Sequence, residues 1–209
     1  DIIEWIQKAK PLQEIGSHSF GHIVFSDVGT SKAAAGSDLS KCVELAKEMG
    51  ITLQSFIFPR NAVGHLDLLS RYGFKIYRKH PDMEENGPFR PSFLLRLKGL
   101  LSDIFLFPPP VFDLEKEKEN PLYTIPCSMQ FRYAYGVGRW ILPSFRFRRA
   151  KKGIEQAIHQ KKIFHLWFHP MNFFWKREGM FRELEQILNF AHEMKRQGEL
   201  LILPMEGLI

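Results

Sequence analysis

Cysteine is scarce in this sequence: Cys42 and Cys127 are the only two in 209 residues. That argues against a disulfide framework and favours a reducing compartment. Long hydrophobic runs are missing as well. No apolar stretch reaches the roughly 20 residues that a bilayer-crossing helix needs, and the opening Asp1-Ile2-Ile3-Glu4 carries no signal-peptide pattern. A cytoplasmic location is therefore the expectation, and the oligomeric state stays open. No internal repeat is evident, which argues against a solenoid or propeller. The first residue is not Met, so a trimmed chain is expected.

Apolar residues make up 44% of the chain and 19 residues are Phe, enough for one domain with a sizeable core. We expect a single domain over 1–209 with an irregular insertion from about 79 to 120. That insertion holds Pro108-Pro109-Pro110 and the charged run Glu115 to Glu119. The formal charge of +6 is unevenly placed. Between Phe131 and Lys152 stand Arg132, Arg139, Arg146, Arg148, Arg149, Lys151 and Lys152 with no acid among them. Interleaved with Trp140, Phe145 and Phe147, they read as a surface for phosphates, anionic lipid or acidic sugars, or as a solvated basic face beside core aromatics.

Periodicity predicts a helix over 2–8 stopped by Pro11, a short strand before His18, and a helix over 39–49 capped by Ser37 or Asp38 and ended by Gly50. A strand over 51–58 follows, then a helix from residue 61 or 62 to 71, closed by Gly73, and a strand over 74–77. Further on come a short helix around 93–101, a strand over 122–129 broken at Pro126, and a helix over 151–160. A strand over 163–168, a long amphipathic helix over 177–197 and a last strand over 200–203 complete the chain. The alternation of strand and helix implies an α/β fold, open or closed.

One short stretch carries chemistry. Glu14-Ile15-Gly16-Ser17-His18-Ser19-Phe20-Gly21-His22 sets two imidazoles four residues apart at the end of a strand. Such a pair reads as half of a metal site or as two loop histidines. Two later stretches stand in step with it: Ser55-Phe56-Ile57-Phe58-Pro59-Arg60-Asn61 followed by Tyr72-Gly73-Phe74-Lys75, and Phe164-His165-Leu166-Trp167-Phe168-His169-Pro170. In order and approximate spacing the three resemble the polysaccharide deacetylase (NodB-homology) family. They match its His-Ser/Thr-x-x-His metal motif, its arginine motif and its Leu-x-x-His motif. The resemblance covers most of the chain and is weakest between about 81 and 160.

The resemblance implies a distorted (β/α) barrel, incomplete at its N-terminus, with the site at the C-terminal ends of the strands. It implies a metal-dependent hydrolase of carbon–nitrogen bonds that removes the N-acetyl group of an amino sugar in a bacterial polysaccharide or its precursor. His18 and His22 would hold a divalent metal, Zn2+ first. His169 would be the general acid, and Arg60 would orient the catalytic carboxylate. The family's Asp pair, a metal ligand and the catalytic base, belongs to a strand upstream of the histidine motif. Before Glu14 this chain offers only Asp1 and Glu4, so that strand is expected to lie outside the sequence, or the chain is an inactive remnant. Asp27 is a substitute ligand by position, and Pro170 stands where the family has an Asp. Ser19 reads as a brace of the loop and His165 as a packed or rim histidine. Trp167, Phe174 and Trp175 read as core or as a sugar platform. The expected partner is an N-acetylated carbohydrate, with no nucleic acid. The alternatives are an inactive carbohydrate-binding remnant and a basic-surface protein for nucleic acid or membrane.

Overall fold

Ser31 opens the longest helix of the N-terminal half: its backbone is extended, with φ −71° and ψ 156°, and its Oγ accepts from Ala34 N at 3.2 Å. The computed structural model describes residues 2–26, 30–82 and 93–209. This helix, α2 (Lys32–Glu48), follows α1 (Ile2–Lys8) and buries Ala35, Leu39, Cys42 and Ala46 along one face. It ends where expected, with Gly50 at φ +69° just beyond the cap, a conformation that favours glycine.

The chain divides into two compact units. One comprises Asp1–Arg90, Leu114–Pro126 and Leu203–Ile209, and the other Pro91–Asp113 and Cys127–Ile202.

The first unit is built on a four-stranded sheet of β1 (Ser55–Ile57), β2 (Ile76–Lys79), β3 (Glu115–Lys116) and β4 (Tyr123–Pro126), in the order β1-β2-β4-β3. The pairs β1–β2 and β2–β4 are parallel and β3–β4 is antiparallel. Helix α3 (Leu66–Arg71) connects β1 to β2. The residues before His18 join as a single bridge, Ser17 beside Phe56. Ser17 N donates to Ser55 O and Ile57 N to Ser17 O. Gly16 makes this approach possible, because a Cβ there would lie 2.3 Å from Ser55 Oγ and 3.2 Å from Ser55 O. Phe56, Tyr77 and Thr124 share one register row and are fully buried. Phe25, Phe56, Phe58, Phe74 and Tyr77 meet edge to face at centroid distances of 4.9–5.5 Å, the arrangement that aromatic quadrupoles prefer.

The second unit pairs β5 (Met129–Gln130) with β6 (Leu166–Trp167) in parallel. Its helices are α4 (Phe93–Ile104), α5 (Phe145–Gln160) and α6 (Arg177–Arg196). Ala150, Ile154 and Ala157 of α5 and Met180, Ile187 and Ala191 of α6 recur at helical spacing and are buried. With Met129, Phe131 and Phe173 most of them form that unit's core. Gly153 admits the Phe164 ring, 2.5 Å from where a Cβ would stand.

The barrel expected from the resemblance does not form: among the described residues the strands make one small mixed sheet and one parallel pair, neither of them closed. The reason lies in the strands themselves. Residues 51–54 are not part of a strand: Ile51 N closes α2 by donating to Ala46 O, and only Gln54 O reaches the neighbouring strand, accepting from Lys75 N and Ile76 N. The stretch before His18 contributes one bridge, 200–203 forms no strand, and antiparallel β3 ends the sheet beyond β4. Closure needs a continuous staggered ladder, which runs of two to four residues do not supply. Among the described residues no helix is long and apolar enough to cross a membrane.

Candidate metal centre

His18 follows the bridged Ser17, and its Nδ1 lies 2.7 Å from Ile57 O. A carbonyl oxygen only accepts, so Nδ1 carries the proton, and the lone pair of the neutral ring is on Nε2. This is the arrangement that orients metal-ligating histidines, whose second nitrogen donates to a carbonyl or carboxylate. Between the histidines the chain reverses sharply. Ser19 has φ +70° and His22 φ +52°, conformations that cost a side-chain-bearing residue of order 1 kcal/mol or more. As a result the two imidazoles meet edge to face with centroids 5.0 Å apart. The four-residue spacing thus leaves the two rings in contact.

The loop is braced from below. Ser19 N donates to Ser17 Oγ at 3.2 Å, and Ser17 Oγ to Cys42 Sγ at 3.4 Å. Phe20 N and Gly21 N both donate to the carboxylate of Asp38, at 3.0 and 2.7 Å. Burial pushes the Cys42 thiol above its ordinary pKa; the Asp38 charge adds to the rise and the Ser17 hydroxyl opposes it. A raised value means that the native thiol keeps its proton at pH values where the unfolded chain loses it. The stability it contributes is present below the ordinary thiol range and falls as pH rises through it. Alkylation of Cys42 by iodoacetamide at pH 8, followed by peptide mapping, is expected to run several-fold slower in the native protein than in urea. Equal rates would refute the burial argument.

Arg60 lies in the short turn Pro59–Asn61 after β1, in a left-handed conformation with φ +58°, and Asn61 follows at φ +57°. Arg78 of β2 is buried and its Nη2 donates to Asn61 Oδ1 at 2.9 Å, which braces this turn. Arg60 itself is exposed. His18 and Arg60 thus flank the C-terminal end of β1: His18 binds the carbonyl of Ile57, and Arg60 stands three residues on. His169 belongs to the second unit, where it is exposed, lies edge to face with Trp167 at 5.5 Å and begins the turn Pro170–Phe173. His165 is half-buried there; its N–H donates to Ser128 Oγ. Phe174 and Trp175 are exposed, so they are not core. Asp27 lies outside the described residues.

Asp38 and Arg78 are the residues that sequence reasoning missed. Asp38 was expected to cap a helix, and Arg78 stands in a strand with nothing around it to mark it. Asp38 and Phe20 also line a groove of about 670 Å³ with Ile23, Ser37, Lys41 and Tyr72.

Imidazole nitrogens are donors of the kind a divalent ion takes, and the bond to Ile57 O fixes the His18 ring. Among the described residues no group of three or more His, Cys, Asp or Glu side chains gathers to complete a set.

The basic run has a different use from the one its charge pattern implied. Arg146 is buried and pairs with Glu183 at 3.0 Å, while Arg132 and Arg149 both pair with buried Asp103. Burial lowers the pKa of Arg149 and the Asp103 charge opposes the fall. Lys152 Nζ donates to Leu106 O and Lys151 stands 3.8 Å from Glu155. Arg139 and Arg148 lie over the rings of Trp140 and Phe145. Most of this charge holds the second unit together.

No known protein family matches the chain, and no curated protein does. Among solved structures the fold is similar to that of 4-alpha-glucanotransferase from Thermococcus litoralis, with a TM-score of 0.57 and 13% sequence identity over 99% of this chain. The match takes in 32% of that protein, so the chain spans about a third of its length. At this identity the likeness concerns the fold alone.

Proposed function

We propose that this chain carries the metal-binding part of a deacetylase that hydrolyses the N-acetyl group of an amino sugar in a bacterial polysaccharide or its precursor. One observation carries the reading: the His18 and His22 rings meet at 5.0 Å, with His18 Nδ1 fixed on Ile57 O. The sequence resemblance selects the reaction, since two histidines suit many hydrolyses. In that reaction water adds to the acetyl carbonyl carbon, the C–N bond breaks, acetate leaves and the amine takes a proton. A bound divalent ion, Zn2+ by the resemblance, supplies an acidified water and polarises the carbonyl. The chain's own part is to orient: Ile57 O fixes the His18 ring, and Arg60 offers a cation at the end of the same strand. The groove beside the loop is lined by Phe20, Tyr72, Ser37 and Ser40 among others, residue types that can meet a sugar ring.

The test is zinc content after chelator treatment and zinc readdition, measured with acetate release from N-acetylated chitooligosaccharides. Zinc bound at one ion per chain is the expected result, and acetate release would show that the chain also supplies the catalytic carboxylate. Zinc bound without acetate released favours the inactive carbohydrate-binding reading, and no bound zinc overturns the proposal.

A further inference from the structure

The three residues that separate the histidines close around a carboxylate. Asp38 sits on α2 and is 8% exposed, and its two oxygens take different partners: Oδ1 accepts from Phe20 N at 3.0 Å and Oδ2 from Gly21 N at 2.7 Å. These are the last two of the three, and the left-handed residues Ser19 and His22 stand on either side of them. Gly21 lies so close that a Cβ there would stand 3.2 Å from Asp38 Oδ2. The Phe20 ring, by contrast, is 59% exposed, so no burial of that side chain holds the loop down. Hydrogen bonds to an ionised acceptor are among the stronger ones, and a helix is a firmer base than a loop.

We propose that Asp38 is the positioning residue of the metal pair: by clamping the Phe20 and Gly21 amides it sets where His22 stands relative to His18. The inference rests on the metal reading above and adds to it the residue that fixes the geometry. It acts through the loop, not by touching the ion. An asparagine shows why the charge matters. Its Oδ1 accepts one amide, while its NH2 faces the second amide, donor against donor, so half of the clamp is lost at unchanged size.

The experiment compares zinc affinity, by competition with a chromophoric chelator, for the full chain and for Asp38→Asn and Gly21→Ala. Amide exchange at residues 20 and 21, the visible spectrum of the Co2+ form and thermal unfolding accompany it. Gly21→Ala keeps the carboxylate but crowds it against the loop, so it tests the clamp a second way should Asp38→Asn fail to fold. The expected result is zinc binding weakened about ten- to hundredfold in both variants, the range for groups that orient metal ligands. It is accompanied by faster exchange at residues 20 and 21, altered Co2+ absorption and retained cooperative unfolding. A purely structural role would leave the Co2+ spectrum unmoved. Zinc affinity within about twofold of the parent in the folded variants overturns the role of Asp38 alone. Absence of zinc binding by the parent chain overturns the metal reading and this inference with it.

Discussion

Arg146→Ala is expected to destabilise the second unit by about 3–5 kcal/mol, the cost of breaking a buried ion pair from one side. Arg146 is 4% exposed, and its Nη1 lies 3.0 Å from Glu183 Oε1. Its other donors reach backbone carbonyls: Nε donates to Arg132 O at 2.7 Å, and Nη2 to Tyr133 O at 3.3 Å and Gly138 O at 3.5 Å. Truncation therefore strands a buried carboxylate and three acceptors at once, in a place where α5 and α6 share a core. Glu183→Gln is expected to cost less, because the amide still accepts from Arg146 and the guanidinium keeps its carbonyls. In a double variant, Arg146→Met with Glu183→Leu, the buried charge is gone but the carbonyls still lack donors. Its stability is expected between those of the parent and Arg146→Ala. Urea unfolding of the three variants checks the order. An Arg146→Ala variant within about 1 kcal/mol of the parent would mean that the arginine is solvated.

This charge was visible in the sequence and its purpose was not. The partner of Arg146 lies 37 residues away, and Asp103 lies 29 and 46 residues from the arginines it joins. A run of cations looks like a surface when its acids sit on other helices. The helices themselves were legible where periodicity was strong: α1 and α6 match their expected spans closely. Helix α2 starts seven residues earlier than the expected Leu39, because Ser31 caps it and the alanines at 33–35 are good helix formers despite the glycine and serine around them. That shift decides the site. It moves Asp38 from a cap into the interior of the helix, where its side chain meets the histidine loop. Strand lengths were overestimated because apolar runs mark burial without marking a partner. Residues 51–54 and 200–203 were expected as strand, but neither stretch forms one, and of the first only Gln54 O bonds across to Lys75 and Ile76. The inferred barrel failed at that point, while the parallel order of β1, β2 and β4 followed the alternation as expected.

His18→Ala is expected to weaken zinc binding by at least about a hundredfold, because losing a ligand costs more than losing a group that only orients one, which is worth about ten- to hundredfold. His22→Ala is expected to have a similar effect. Arg60→Ala should leave zinc affinity within about twofold of the parent, since its proposed role is toward a carboxylate and not the ion. The three variants separate ligand loss from general damage. Neither histidine is buried, so truncating either leaves no large cavity, and the melting temperature should move little. His18 does carry one structural bond, from Nδ1 to Ile57 O, and His18→Asn offers a control. The shorter amide keeps a donor near that carbonyl and removes the imidazole Nε2. If His18→Asn binds zinc like the parent, the ring contributes by bracing β1 and not as a ligand. If it binds as weakly as His18→Ala while melting like the parent, Nε2 is the donor and the loop between the histidines is a metal site.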